Sequence, residues 1–217
     1  MHAIRISAGS ALPRNLALQQ GLMTLFARSA AMGVLPSRPL VALDNGAVRG
    51  LVDAWQQADL LQSAAVDLAP LLRQSAADLD PATAKQMSAV VARLADTLEE
   101  SPSPATEWAP MRELFGDEPL CALLGVAEAS LRRYAAGTRT TPQRTAERLH
   151  WLAMVAADLA GGYNDYGIRR WFERPRSQLD GASPRQRLGA DWGVDGEPAA
   201  SVRALAAALL GAQPLAA

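Results

Sequence analysis

Cysteine, lysine, aromatic residues and long apolar runs are all scarce in this 217-residue chain. One cysteine, Cys121, excludes an intramolecular disulfide and a zinc site built on several cysteines, and it fits a reducing compartment. No stretch reaches the roughly 18 uncharged apolar residues that a membrane-spanning helix needs, and Arg14 and Arg28 interrupt the apolar N-terminal run. The expectation is a cytoplasmic protein with no membrane partner. The chain has no G-x-G-x-x-G, no Walker loop and no H-E-x-x-H; His2 lies at the terminus and His150 stands alone within a helical pattern. Common catalytic routes need clustered acid and base groups or a phosphate or metal cradle, so the sequence predicts a protein that is not an enzyme and uses no cofactor or metal. With a formal net charge of −1 there is no overall field to draw in nucleic acid, and any such contact must come from a local patch. Lys85 is the only lysine, so arginine would have to supply it.

What the chain has in abundance is Ala and Leu. Both lose little on entering a helix, while β-branched residues are thin, so the expected fold class is all-α. The segment Glu99-Glu100-Ser101-Pro102-Ser103-Pro104 carries no apolar period and divides the chain into residues 1–100, a linker at 101–105 and the remainder. Before it, Leu16, Leu18, Leu22, Met23, Leu25 and Phe26 predict a helix over 15–31, stopped near Gly33 and Pro36. Residues 39–46 end in Asn45-Gly46, a turn signal, and form the one strand candidate. Val48, Leu51, Val52, Trp55, Leu60, Leu61, Val66, Leu68, Leu71 and Leu72 fit one or two amphipathic helices broken near Pro70, and Asp80-Pro81 opens a helix to about Leu98. Residues 1–100 fit a dimerisation or ligand-sensing domain and a packing scaffold equally well.

After the linker the pattern changes character. Trp108, Met111, Leu114 and Phe115 stripe a first helix, 106–115. Residues 117–137 then read as a helix-turn-helix: Asp117 as cap with Pro119 in the first turn, Cys121 as the small residue at the crossing, and Gly125 in the turn. Leu120, Leu124, Val126, Leu131 and Tyr134 form its inner face. The outer face of the second helix carries Glu128, Ser130, Arg132 and Arg133, with Arg139, Thr140 and Thr141 just beyond. Arg suits guanine edges or phosphates and Ser and Thr suit phosphates, so Glu128, Ser130, Arg132, Arg133, Arg139 and Thr141 are the candidate DNA-contact residues. Between Glu128 and Arg148 five arginines (132, 133, 139, 144 and 148) face two glutamates (128 and 147). That excess is the local field the net charge lacks. The alternative is a tri-helical unit kept only for packing, and Glu128 on the groove side speaks for it.

A long helix over 142–160 closes the 106–160 module. In the following 161–217 region, Gly167, Trp171, Phe172, Pro175, Leu179, Gly181, Ser183, Pro184 and Leu188 form a distinctive series. A last helix begins at Glu197 on Val202, Leu205, Leu209 and Leu210. Read physically, Trp171 and Phe172 end a helix, Pro175 stops it, and Ser183-Pro184 begins another as cap and first-turn proline. Arg169, Arg170, Arg174, Arg176, Arg185 and Arg187 surround this corner, which could bind an anionic partner or be a solvated face.

In its order of residues the stretch from Thr106 to Gly211 resembles antitoxins of the Xre/MbcA/ParS type. It departs from their pattern at Arg176, where asparagine is common, at Gln186-Arg187, where Leu-Asp is common, and in its first hundred residues, which the short members lack. The resemblance implies a DNA-binding tri-helical domain and a toxin-binding domain that caps the active site of a RES-domain toxin, an NAD-consuming enzyme. It also implies dimerisation and repression of the chain's own operon. The candidate partner-binding residues are Trp171, Arg174, Arg176, Arg187, Val202, Leu205 and Leu209. A helix-turn-helix regulator without a toxin, and a scaffold that binds no DNA, are the other readings.

Overall fold

A computed structural model describes residues 15–35 and 43–211. Among the described residues the regular structure is wholly helical: twelve α-helices and two short 3-10 turns, with no strand. The all-α expectation holds, and no described helix is long and apolar enough to cross a membrane. The described residues of 4–30 and 34–101 form one compact unit, and those of 31–33 and 102–217 form a second.

The N-terminal unit contains α1 (Leu16–Ala31), α2 (Asn45–Gln57), the short α3 (Ala64–Asp67) and α4 (Ala69–Arg73), and α5 (Pro81–Glu99). Its core is Leu18, Leu22, Leu25, Leu51, Trp55, Leu71, Met87, Val91 and Leu98, each 2% exposed or less. Three contacts align α1 with α5: Ser88 donates to Asn15, Gly21 meets Val91, and Arg28 donates to Glu99 at 2.6 Å and to the Ala95 carbonyl. The partners rise together along both helices, so α1 and α5 run parallel. A Cβ at Gly21 would lie 2.6 Å from Val91 Cγ1, which is why the closest approach carries glycine. Trp55 is fully buried, and its indole N–H donates to Ser29 Oγ at 2.9 Å.

Two expectations for this unit need correction. Asn45-Gly46 does not turn a strand: Asp44 accepts from Ala47 N at 2.8 Å and caps α2, so both residues open a helix. Residues 39–42 of that strand candidate lie outside the described residues. The apolar run that follows breaks first at Asp59 and Leu61, both in the left-handed region at φ 56° and 44°. The break near Pro70 is present as well: α3 ends at Asp67 and α4 begins at Ala69, with Pro70 in its first turn, where its missing N–H costs nothing.

The C-terminal unit contains α6 (Pro104–Phe115), α7 (Asp117–Leu124), α8 (Glu128–Ala135), α9 (Gln143–Ala160), α10 (Asp165–Glu173), α11 (Pro184–Leu188) and α12 (Glu197–Gly211). Helix α9 is its axis, with every residue from Leu152 to Ala160 buried. It packs against α6, α7, α10 and α12, so the helix-turn-helix and the closing helices share one core. Asp158 of α9 pairs with Arg203 of α12 at 3.1 Å. Two helix starts are as the sequence predicts. Asp80 accepts from Ala82 N and Thr83 N at α5, and Ser183 and Gln186 form a reciprocal capping box at α11.

Replacing Trp55 with Phe removes the bond to Ser29 and leaves a small void at the centre of the N-terminal unit. A loss of about 2 kcal/mol is expected, read as a lowered urea midpoint with an unchanged slope.

Candidate functional site

The hairpin of α7 and α8 turns on Gly125, whose φ of 69° is left-handed and whose N–H donates to the Cys121 carbonyl at 2.9 Å. A Cβ there would lie 2.9 Å from the Ala190 carbonyl oxygen and from an Arg148 nitrogen, so glycine is demanded by space as well as by conformation. Leu120, Leu124, Leu131 and Tyr134 are buried as the inner face requires, while Val126 and Cys121 are half-buried. Burial, with Asp117 and Glu128 adding to it, raises the Cys121 thiol above its ordinary pKa, which suits packing and not nucleophilic attack.

The outer face of α8 is open. Glu128, Arg132 and Arg133 are exposed and Ser130 is half-buried. Glu128 and Arg132 pair one turn apart on the helix, so the acid occupies part of the cationic face. Arg133 donates only to the Ala129 carbonyl of its own helix, at 3.2 Å. Arg139 lies with its guanidinium carbon 5.4 Å from the centroid of the Tyr134 ring. Arg132, Arg133 and Arg139 thus share one side of the hairpin and its exit, and Arg133 and Arg139 have no acidic partner among the described residues.

Three sequence expectations change here. Thr141 is half-buried and accepts a hydrogen bond from the Trp108 indole at 3.0 Å, so its first task is to hold α6 against the loop before α9. Asp117 does not cap α7; it lies in the first turn and takes a two-toothed bond from Arg112 at 2.7 and 2.9 Å. Arg148 is no part of the surface patch. It is 4% exposed, donates to the Leu124 carbonyl at 2.8 Å and to the Trp192 carbonyl through Nε at 2.8 Å, and lies 5.1 Å from the Trp192 ring centroid. Trp192 in turn donates its indole N–H to the Leu123 carbonyl at 2.7 Å and packs edge-on against Trp151. Desolvation lowers the pKa of Arg148, and Arg144 adds to that while Asp191 opposes it. This clamp fixes the end of α7 to the segment before α12. No spacing in the sequence announces a contact between residues more than 40 positions apart. An open pocket of about 480 Å3 beside it mixes Arg144 and Arg148 with Glu147 and Asp195, and so offers no cradle of one sign.

His150 is not alone. Its Nδ1 lies 2.5 Å from Oε1 of Glu107, and both side chains are buried between α6 and α9. Among the described residues no cluster of three or more His, Cys, Asp or Glu is arranged to hold a metal.

The candidate partner residues divide into core and surface. Trp171 is 1% exposed and packs edge-on against Phe172, and Val202 is fully buried under α12; neither side chain faces solvent, because both fill the core around α9. Leu205 and Leu209 are half-buried, and the side chain of Leu210 lies outside the described residues. Arg174 is exposed, Arg176 is half-buried over the Trp171 ring, and Arg187 pairs with Glu197 at 2.5 Å. Of these candidates Arg174 and Arg176 keep cationic groups with no acidic partner among the described residues, and Leu205 and Leu209 keep part of their apolar surface.

Two measurements follow from this geometry. Arg148→Met strands buried carbonyls and is expected to cost about 3 kcal/mol and to speed amide exchange at Leu124–Val126, whereas Arg144→Met, at an exposed pair with Asp191, costs under about 0.5 kcal/mol. Arg112 holds the Asp117 carboxyl below its ordinary pKa of 3.8, so that pair's contribution is complete above this range and is lost as the pH falls through the lowered value. The stability gap between the parent chain and Arg112→Gln should shrink as the pH is taken below the ordinary carboxylate range, in acid titrations followed by helix content.

No match to this chain was found among protein-family models, curated proteins or solved structures.

Proposed function

We propose that the chain is an antitoxin-like regulator: its helix-turn-helix binds operator DNA, and its C-terminal corner binds and neutralises a RES-type toxin, with a homodimer as the working form. One observation carries the reading. Helix α8 stands with Leu131 and Tyr134 buried and its arginine side open, continued by Arg139 at its exit. That is the arrangement a recognition helix needs in order to enter a major groove while neighbouring groups meet phosphates. The order of residues from Gly167 to Leu188, which resembles the Xre/MbcA/ParS type, supports the toxin half.

A second reading, a tri-helical unit that packs but does not bind DNA, is favoured by the acids on the same side. Glu128 neutralises Arg132, and Asp117 and Glu118 lie in the first turn of α7. The two readings part on mutation. For the DNA-binding protein, changing Arg132 and Arg133 together to Ala reduces the slope of log affinity against log salt by about 2 on its own promoter DNA. Glu128→Gln tightens binding on the same DNA, because it removes a charge that repels phosphate. Unchanged affinity in both variants at physiological salt would establish the packing unit instead. For the toxin half, co-expression with the product of the neighbouring reading frame and mass measurement of the captured full chain should recover a stoichiometric toxin. Recovery of the chain with DNA alone would leave a regulator without a toxin.

A further inference from the structure

We propose that the corner formed by α10, the turn after it and α11 docks an acidic segment of a protein partner, one carboxylate of which is received by the Arg176 guanidinium and the Trp171 indole N–H. The inference rests on the partner-binding half of the function proposed above and names the chemistry of that partner.

Buried donors are nearly always hydrogen-bonded, so an orphan needs a reason. Trp171 is 1% exposed, yet its Nε1 meets no acceptor in the chain. The guanidinium carbon of Arg176 lies 5.6 Å from the centroid of that same indole, and Arg176 Nε is likewise buried without an acceptor. Two unanswered N–H groups therefore belong to one stacked pair. The backbone of Arg176 is pinned on both sides: its N–H donates to the Ala182 carbonyl at 3.0 Å, and its carbonyl accepts from Gly181 N at 2.9 Å. An arginine held at its root but unpaired at its head is pre-organised to meet a carboxylate, and docking requires that head to turn outward, because both orphan N–H groups are closed to solvent.

The surroundings select the kind of anion. Arg170 and Arg174 are exposed and have no acidic partner among the described residues, and they stand one helical turn apart at the end of α10 that carries Trp171. Tyr166, 63% exposed, lies one turn before Arg170 on the same face. Acids are interspersed: Glu173 pairs with Arg185 at 2.8 Å, and Asp180 is exposed on the turn. A continuous phosphate backbone would meet repulsion from those acids. A protein segment can place its carboxylates singly, away from those acids, and a surface of Arg and Tyr matches the composition of protein interfaces.

The test uses the full chain labelled with nitrogen-15. Its five tryptophans give five indole N–H signals, and that of Trp171 is assigned through its contact with Phe172, whose ring centroid lies 5.1 Å away. A flexible Gly-Ser peptide carrying two separated glutamates is the probe and duplex DNA of random sequence is the comparison. Saturable movement of the Trp171 signal by the peptide is expected, weakened about tenfold by Arg176→Gln and unaffected by Arg73→Gln in the N-terminal unit. Should Arg176→Gln lose helix content, Arg174→Gln, at an exposed position, is expected to weaken the peptide about threefold.

Peptide that binds without moving the Trp171 signal, equal affinity in the corner variants, or movement by DNA but not by peptide would overturn the proposal. The parent reading fails separately. Peptide binding with no toxin recovered on capture removes the antitoxin function and leaves the docking site. A toxin captured in equal amount by the Arg176→Gln chain removes the docking site and leaves the antitoxin.

Discussion

A guanidinium withdrawn from water has to find acceptors, and where it finds them decides what it joins. Arg148 finds its acceptors on the carbonyls of Leu124 and Trp192, so one side chain of α9 ties the end of α7 to the segment leading into α12. Nε, Nη1 and Nη2 are all engaged, and the Trp192 indole returns a bond to Leu123 beneath the same turn. Gly125 is required partly because Arg148 and Ala190 crowd it. The hairpin is therefore held from the C-terminal side as well as by its own inner face, and the position of α8 follows from a residue outside the hairpin.

Part of the remaining charge is neutralised by pairing. Arg112 with Asp117, Arg132 with Glu128, Arg144 with Asp191, Arg185 with Glu173 and Arg187 with Glu197 account for five of the surface arginines of the C-terminal unit. This local pairing explains how a chain of net charge −1 can carry two cationic surfaces. It also narrows them: Arg133 and Arg139 on the hairpin side, and Arg170, Arg174 and Arg176 at the corner after α10. Each surface is small, so each depends on geometry more than on bulk charge.

The fold class and most helix starts were legible in the sequence because they rest on local chemistry. Asp80-Pro81 and Ser183-Pro184 announce caps from side chains two or three residues away, and Gly125 announces a left-handed turn. Asn45-Gly46 misled because a turn signal and a helix entry draw on the same small polar residues, and the Asp44 side chain settles which one forms. Arg148 and Thr141 were read as surface residues for another reason. Their partners, Trp192 and Trp108, are distant in sequence, and no periodicity separates an arginine facing solvent from one facing a carbonyl.

Sharing a core has a consequence for how two binding surfaces on one unit can influence each other. Coupling between sites requires an element with two discrete arrangements that both ligands bias. The link between the hairpin and the segment before α12 is a buried arginine with its nitrogens engaged, a tryptophan pair in edge contact, and a glycine with no room for a Cβ. Moving it would strand buried carbonyls, which makes a second arrangement costly. The two surfaces then behave as two faces of one rigid body, and a molecule engaging both gains through linked attachment and effective concentration rather than through a shape change passed along α9.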